Sequence, residues 1–255
     1  MIRYLDGNRV TLLRSGVQYF PALERSIEQA RTEIYLETYI FADDRTGRRI
    51  AAALCRASQR GVRVYVLLDG FGAKDMAEPL RQRMLDAGVG LLVYRRKVSP
   101  LTLRRHRLRR MHRKIAVVDG CIAFVGGINV IDDMNAPGQV PPRYDFAVQI
   151  EGPLLAPIHY EVTRLWRWVA LANLQHRWRG SARAEIDSSA KGTQRAALAV
   201  RDNIRHRTDI EDAYLEAIES AREEIIIANA YFLPGIRFRH ALGRAAARGV
   251  RVVLL

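Results

Sequence analysis

Ala30-Arg31-Thr32-Glu33-Ile34-Tyr35-Leu36 is echoed far along the chain by Ala221-Arg222-Glu223-Glu224-Ile225-Ile226-Ile227. Both stretches follow residues that are apolar at helical spacing, Leu23, Ile27 and Ala30 in one case and Tyr214, Ile218 and Ala221 in the other. Both lead into aromatic turns, Tyr39-Ile40-Phe41 and Tyr231-Phe232. Further on, Arg60-Gly61-Val62-Arg63-Val64 matches Arg248-Gly249-Val250-Arg251-Val252, and the offset drifts only from 191 to 188. Each copy therefore reads helix, buried strand, helix, buried strand. That alternation predicts βαβ units and an α/β fold with a parallel-rich sheet.

The repeat divides the chain. Residues 1–175 form a first half, a polar Arg-, Ser- and Ala-rich stretch over 176–194 reads as a linker, and 195–255 opens a second half. The strand at Val250–Leu255 corresponds to Val62–Leu67, which more than 100 residues follow in the first half. The expectation is one complete half plus the beginning of another, as in a piece of a longer protein.

Composition narrows the chemistry. Apolar residues make up 49% and charged residues 27%, enough for a buried core and unlike a disordered chain. Lys and Arg number 41 against 27 Asp and Glu, a net charge of +14 that predicts anionic partners: nucleic acid, acidic lipid or a phosphorylated substrate. The two cysteines, Cys55 and Cys121, make no disulfide framework, lie outside any metal-ligand spacing and are expected to be buried and inert. The N-terminus lacks a signal-peptide core, and the most apolar stretch, Ile115–Ile131, is broken by Asp119, glycines and Asn129. A membrane-spanning helix is not expected.

The chemistry-bearing segment is Met111–Val130, MHRKIAVVDGCIAFVGGINV. Its polar skeleton is His112-x-Lys114, four residues, Asp119, six residues, then Gly126-Gly127-x-Asn129. In a strand His112 and Lys114 point the same way, and Asp119-Gly120 between apolar runs reads as a hairpin turn. The glycines are expected to let backbone approach a ligand, and Asn129 to donate an amide N–H. A nucleophilic His, a Lys and an amide converging on one pocket suit a phosphate. No second metal ligand is near, so neither a metal nor a cofactor is expected.

This skeleton resembles the HKD motif of the phospholipase D superfamily. The resemblance covers most of the chain: 35–41, 110–114, 124–129, 145–148, 151–153 and 229–235 look like the bacterial cardiolipin synthase branch, in the type lacking N-terminal membrane helices. It implies a phospholipase D-like αβα sandwich. It also implies phosphatidyl transfer from phosphatidylglycerol or a related donor through a covalent phosphohistidine. His112 would be the nucleophile, Lys114, Asn129, Gly126 and Gly127 would hold phosphate oxygens, and Asp119 would organise the site. Asp145 would orient His112 through its other ring nitrogen and raise its pKa, and Glu37 and Tyr231 would line the pocket. Two histidines serve in that family. The repeat offset puts the second motif at about position 300, beyond these residues. His206 and His240 lack a Lys at the matching place. The implied partners are anionic phospholipid and a membrane surface, at the cytoplasmic face of the bacterial inner membrane. Nucleic acid is less favoured, and a homodimer is not indicated.

Bland readings compete at several points. Asp43-Asp44 and Asp132-Asp133 resemble catalytic pairs, but adjacent loop acids are usually solvated or capping. Asp209 reads as the cap of a helix over 210–221. Residues 95–114 hold ten Lys or Arg, either a solvated loop or a headgroup-attracting rim. Trp166, Trp168 and Trp178 suit a membrane interface, although Trp and Leu at helical spacing are more often core. A superfamily phosphodiesterase or nuclease and a non-catalytic lipid-binding remnant are the competing functions.

Overall fold

The computed structural model describes residues 3–94, 110–138, 140–174, 184–200, 208–229 and 232–255. It divides into two compact units, Leu5–Ala196 and Met1–Tyr4 with Ala197–Leu255.

The larger unit opens with β1 (Tyr4–Arg14), which runs into α1 (Ser15–Gln29), β2 (Glu33–Thr38), α2 (Arg45–Gln59) and β3 (Arg63–Asp69). After a 3-10 turn at Gly72–Asp75 come α3 (Glu78–Asp86) and β4 (Gly90–Tyr94). The hairpin β5 (Ile115–Val118) and β6 (Ile122–Gly126) follows, then β7 (Phe146–Glu151), α4 (Leu155–Ala172) and β8 (Gln194–Ala197). The eight strands form one mixed sheet in the order β4-β3-β2-β5-β6-β7-β1-β8. The βαβ arm, β2 to β4, is parallel, and β5, β6, β7 and β1 add antiparallel partners.

Strand alternation builds both faces. Ile34 and Leu36, Val64, Val66 and Leu68, Ala116 and Val118, and Phe124 pack against Leu23 and Ile27 of α1, Ile50 and Leu54 of α2 and Met84 of α3. The opposite face carries Tyr35 and Tyr65, stacked at 4.7 Å, under α4, whose Trp166 ring lies 5.0 Å from Tyr65. His159 of α4 meets the buried Glu33 carboxylate at 2.7 Å and ties that helix to β2. The result is the expected three-layer αβα sandwich. Each fully buried Leu or Ile in it contributes about 1.5–3 kcal/mol of apolar burial.

One acid of each pair serves a helix start, and Asp43 pairs with Arg48. Asp44 accepts the Gly47 N–H at 2.9 Å to start α2, and Asp133 accepts the Gly16 N–H at 2.8 Å beside Ser15, whose φ is positive. Asp132 accepts from the Thr46 hydroxyl at 2.9 Å. Cys55 is buried as expected, but Cys121 is exposed, because the β5–β6 turn directs it outward. Residues 184–194, within the stretch expected to be a linker, lie against the larger unit. The Lys191 N–H donates to the Gly7 carbonyl at 2.8 Å and the Asp187 N–H to the Gly120 carbonyl at 3.0 Å.

The smaller unit repeats the arm in miniature: α5 (Asp209–Ser220), β9 (Glu224–Ile227), α6 (Ile236–Ala247) and β10 (Arg251–Leu254), with β9 and β10 parallel. Asp209 is the first residue of α5, after the cap position Thr208. The duplication reaches individual contacts. Glu33 pairs in register with Arg63, and Glu224 with Arg251. Arg60 donates to the Ile27 and Glu28 carbonyls at the end of α1, as Arg248 does to those of Ile218 and Glu219 at the end of α5.

Candidate active site

The carboxyl ends of β2 and β3 and the amino end of β5 lie at one edge of the sheet, because β5 runs antiparallel to β2 with Ile115 opposite Glu37. Open α/β sheets place their ligands at such an edge. His112 and Lys114 enter it just before β5. The His112 ring is exposed on one side, and its other side packs on the Tyr39 ring at 5.0 Å. The Lys114 side chain is buried; its ammonium donates to the His112 carbonyl at 3.0 Å and sits 5.4 Å over Tyr39.

Asn129 reaches the same edge through a bridge between Phe41 and Val130. Its side-chain oxygen accepts the Ile40 N–H at 3.0 Å. That bond fixes the amide flip and leaves the NH2 group as the donor available to an anion.

Asp145 stands at the start of β7. Its carboxylate accepts the Phe146 N–H at 2.7 Å and acts on His112 and Lys114 through its charge. Burial, then the Lys114 charge, lower the His112 pKa below 6.5, and Asp69 and Asp145 oppose without prevailing. The expected rise is therefore reversed: desolvation and a neighbouring ammonium outweigh the carboxylates. A neutral imidazole near pH 7 is the form a nucleophile requires. Burial likewise lowers Lys114 to about 8, against the opposing pull of Asp145 and Asp69.

Three expected site residues sit differently. Asp119 is at the other end of β5, roughly 16 Å from Lys114 along an extended strand. It accepts hydrogen bonds from the Arg31, Thr32 and Glu33 N–H groups and the Thr32 hydroxyl, at 2.7–2.9 Å. Asp119 therefore splices the β5–β6 turn to the start of β2 and does not face the pocket. The glycines make room for protein, not ligand: a Cβ on Gly126 would lie 2.4 Å from the Ala147 Cα, and one on Gly127 would lie 2.3 Å from Asp145 Oδ1. Gly127 thus allows the Asp145 carboxylate to reach this edge.

Glu37 is buried on the α4 face, 2.9 Å from Arg113 Nε. The contact is an ion pair out of line for a hydrogen bond, and neither carboxylate oxygen accepts one. Burial raises its pKa to about 7; Arg113 opposes and Glu161 adds to the rise. Tyr231, Trp178 and residues 95–109 lie outside the described residues. Trp166 is core, whereas Trp168 is exposed.

The sequence reading missed Asp69. This buried residue ends β3 and grips two loops, accepting the Met111 N–H at 2.7 Å and the Phe71 N–H at 2.8 Å. An acid closing an apolar strand was the available signal. No cluster able to hold a metal ion occurs among the described residues, nor is any helix among them long and apolar enough to cross a membrane.

Residues 23–138 match the family described as "Cardiolipin synthase, PLD-like domain". The chain is 41% identical over 251 residues to cardiolipin synthase B of Escherichia coli K12, covering 98% of this chain and 60% of that protein. It is 33% identical over 252 residues to cardiolipin synthase A of Pseudomonas fluorescens, covering 98% of this chain and 51% of that one. The chain thus spans about 60% or less of the length of these relatives. Among solved structures, phosphatidylserine synthase of Haemophilus influenzae aligns with a TM-score of 0.63 at 14% identity, over 99% of this chain and 62% of that one. Polyphosphate kinase of Porphyromonas gingivalis aligns at 0.56 and 17% identity, over 96% and 37%. These likenesses show the fold.

Proposed function

This chain belongs to the phospholipase D superfamily, and we propose from that premise that it carries the phosphatidyl-accepting half-site of a cardiolipin synthase. The observation that carries the reading is His112 itself: exposed, held against Tyr39, below its ordinary pKa, with the Lys114 ammonium behind it.

In this reading an anionic phospholipid, phosphatidylglycerol, presents its phosphodiester to His112. A ring nitrogen attacks phosphorus and the headgroup alkoxide leaves, so one displacement becomes two easier ones. Lys114 and the Asn129 amide stabilise the charge that builds on the non-bridging oxygens. Asp145 opposes the loss of the imidazole's proton affinity, and its charge favours the cationic phosphohistidine. A second histidine, from the second motif that the family resemblance implies, protonates the alkoxide. The hydroxyl of another phosphatidylglycerol then takes the phosphatidyl group, giving cardiolipin and restoring His112. The same proposal puts the protein on the cytoplasmic face of the inner membrane, held by its charge.

The test is incubation with phosphatidylglycerol vesicles, with acid-labile phosphatidyl label on the protein and cardiolipin as readouts. Label on the wild type and none on His112→Ala supports the reading. Equal labelling of both overturns it.

A further inference from the structure

Asp69 brings Phe71 and Arg110 together, since its two oxygens hold the N–H of Phe71 and the N–H of Met111. Phe71 is 51% exposed, so its ring is open to a ligand at this edge. Two cations bracket it, Lys74 Nζ at 5.1 Å and Arg110 Cζ at 5.0 Å from its centroid. Neither makes an ion pair with a carboxylate among the described residues. The arginines of α2 contrast with them: Arg48, Arg49 and Arg56 are bound to Asp43, Glu24 and Glu28. Phe71 in turn stacks on Tyr39 at 6.5 Å, and Tyr39 is the ring behind His112.

We propose that Lys74, Arg110 and Phe71 form a second anion subsite, which holds the phosphodiester of the acceptor phospholipid while the first phosphate is on His112. The cations take the phosphate oxygens and the Phe71 ring takes the adjoining glycerol carbons. The inference rests on the function proposed above and supplies what that reading lacks, a means by which an alcohol outcompetes water for the phosphohistidine. A lipid fixed by its own phosphate presents its glycerol hydroxyl at high effective concentration beside His112, where free water has no such hold. The oxygen–phosphorus bond forms as the ring-nitrogen–phosphorus bond breaks, and the hydroxyl proton passes to the group that protonated the first alkoxide.

The experiment uses this chain with 13C-labelled Phe and His rings, followed by NMR during titration with sn-glycerol 3-phosphate. Phe71 and His112 signals both shift and saturate in the wild type. In Lys74→Ala/Arg110→Ala the Phe71 response weakens by at least about tenfold while that of His112 persists. A silent Phe71 beside a responsive His112 overturns the subsite and leaves the function standing; a silent His112 overturns both. Nanodiscs of phosphatidylglycerol, but not of phosphatidylcholine, reproduce the Phe71 shift. If inorganic phosphate shifts Phe71 and phosphatidylglycerol does not, the site serves free phosphate and the lipid assignment is overturned.

Discussion

Lys114 and His112 titrate on opposite sides of neutrality, and both must be in the right form at once. In the proposed transfer His112 attacks only as the neutral imidazole, and its pKa lies below the ordinary 6.5. Lys114 binds an anion only as ammonium, and its pKa is about 8. The kcat/KM profile of the free enzyme for phosphatidyl transfer is therefore a bell, rising at a pH below 6.5 and falling near 8. A falling limb at the ordinary lysine value, 10.5, would remove Lys114 from the pocket proposed here. Glu37 gives a second test. Its folded pKa, about 7, exceeds the ordinary 4.5, so the folded chain keeps a proton that the unfolded chain releases. That contribution is intact below about 4.5 and is lost as pH rises to about 7, on the order of 3 kcal/mol in all. Glu37→Gln removes the titration, and its melting temperature gains on the wild type from pH 5 to pH 8. A constant difference across that range contradicts a protonated, buried Glu37. His112, Lys114 and Asn129 were legible because their types and spacing name a chemistry. The tilt of the His112 pKa was not, since it depends on how far the fold buries the ring and how near it brings Lys114. Asp69 escaped for a similar reason: its value lies in two backbone donors that only the fold brings to it.

At the scale of elements, the hairpin at Asp119-Gly120 was readable as a turn, and both residues do adopt positive φ. What that aspartate does was not readable, because its partners at Arg31–Glu33 are nearly ninety positions earlier in the chain. The geometry makes a distinction that the family motif blurs. Asp119→Ala strips the acceptor from three backbone donors and costs about 2 kcal/mol of stability, the net worth of such bonds at a partly exposed site. The labelling of His112 per folded molecule stays within about twofold, because the carboxylate is a strand's length from the ring. Denaturant melts paired with single-turnover labelling check both halves. A large loss of labelling at unchanged stability would return Asp119 to the pocket. The same long-range logic explains α4. Its helical spacing was plain, but only the register of Tyr65 under Trp166 shows which tryptophan is core and which faces out. The antiparallel arm of β7 and β1 was likewise hidden, since such pairings join distant segments without a local signal.

Over the whole molecule, one pattern is used twice with different surroundings. The strands β2 and β9 share a sequence motif, a parallel partner and an Arg–Glu pair across it. Every residue of β2 is buried, because β3 and β5 flank it, α1 and α2 pack below and α4 covers the remaining face. In β9 exposed and half-buried residues alternate, and β10 is its neighbour in the described sheet. Intrinsic propensity is therefore nearly matched while burial is not, which isolates tertiary packing as the variable. Amide exchange follows the free energy of opening, and opening β2 must expose a far larger core than the small cluster on which Ile225 and Ile227 of β9 pack. The β9 amides should exchange at least about a hundredfold faster than those of β2 in the same sample, a gap of roughly 3 kcal/mol. Equal protection would mean that the repeat carries its stability in local sequence, and the core packing assigned to α4 and the antiparallel arm would lose its stabilising role. The charge divides in a related way. Most arginines of α2 and α6 face acids on the preceding helix and serve the repeat, as Arg56 does with Glu28 and Arg244 with Glu219. In the proposed reading the net +14 acts on anions through cations outside these pairs, and among the described residues Lys74 and Arg110 stand at the edge that holds His112.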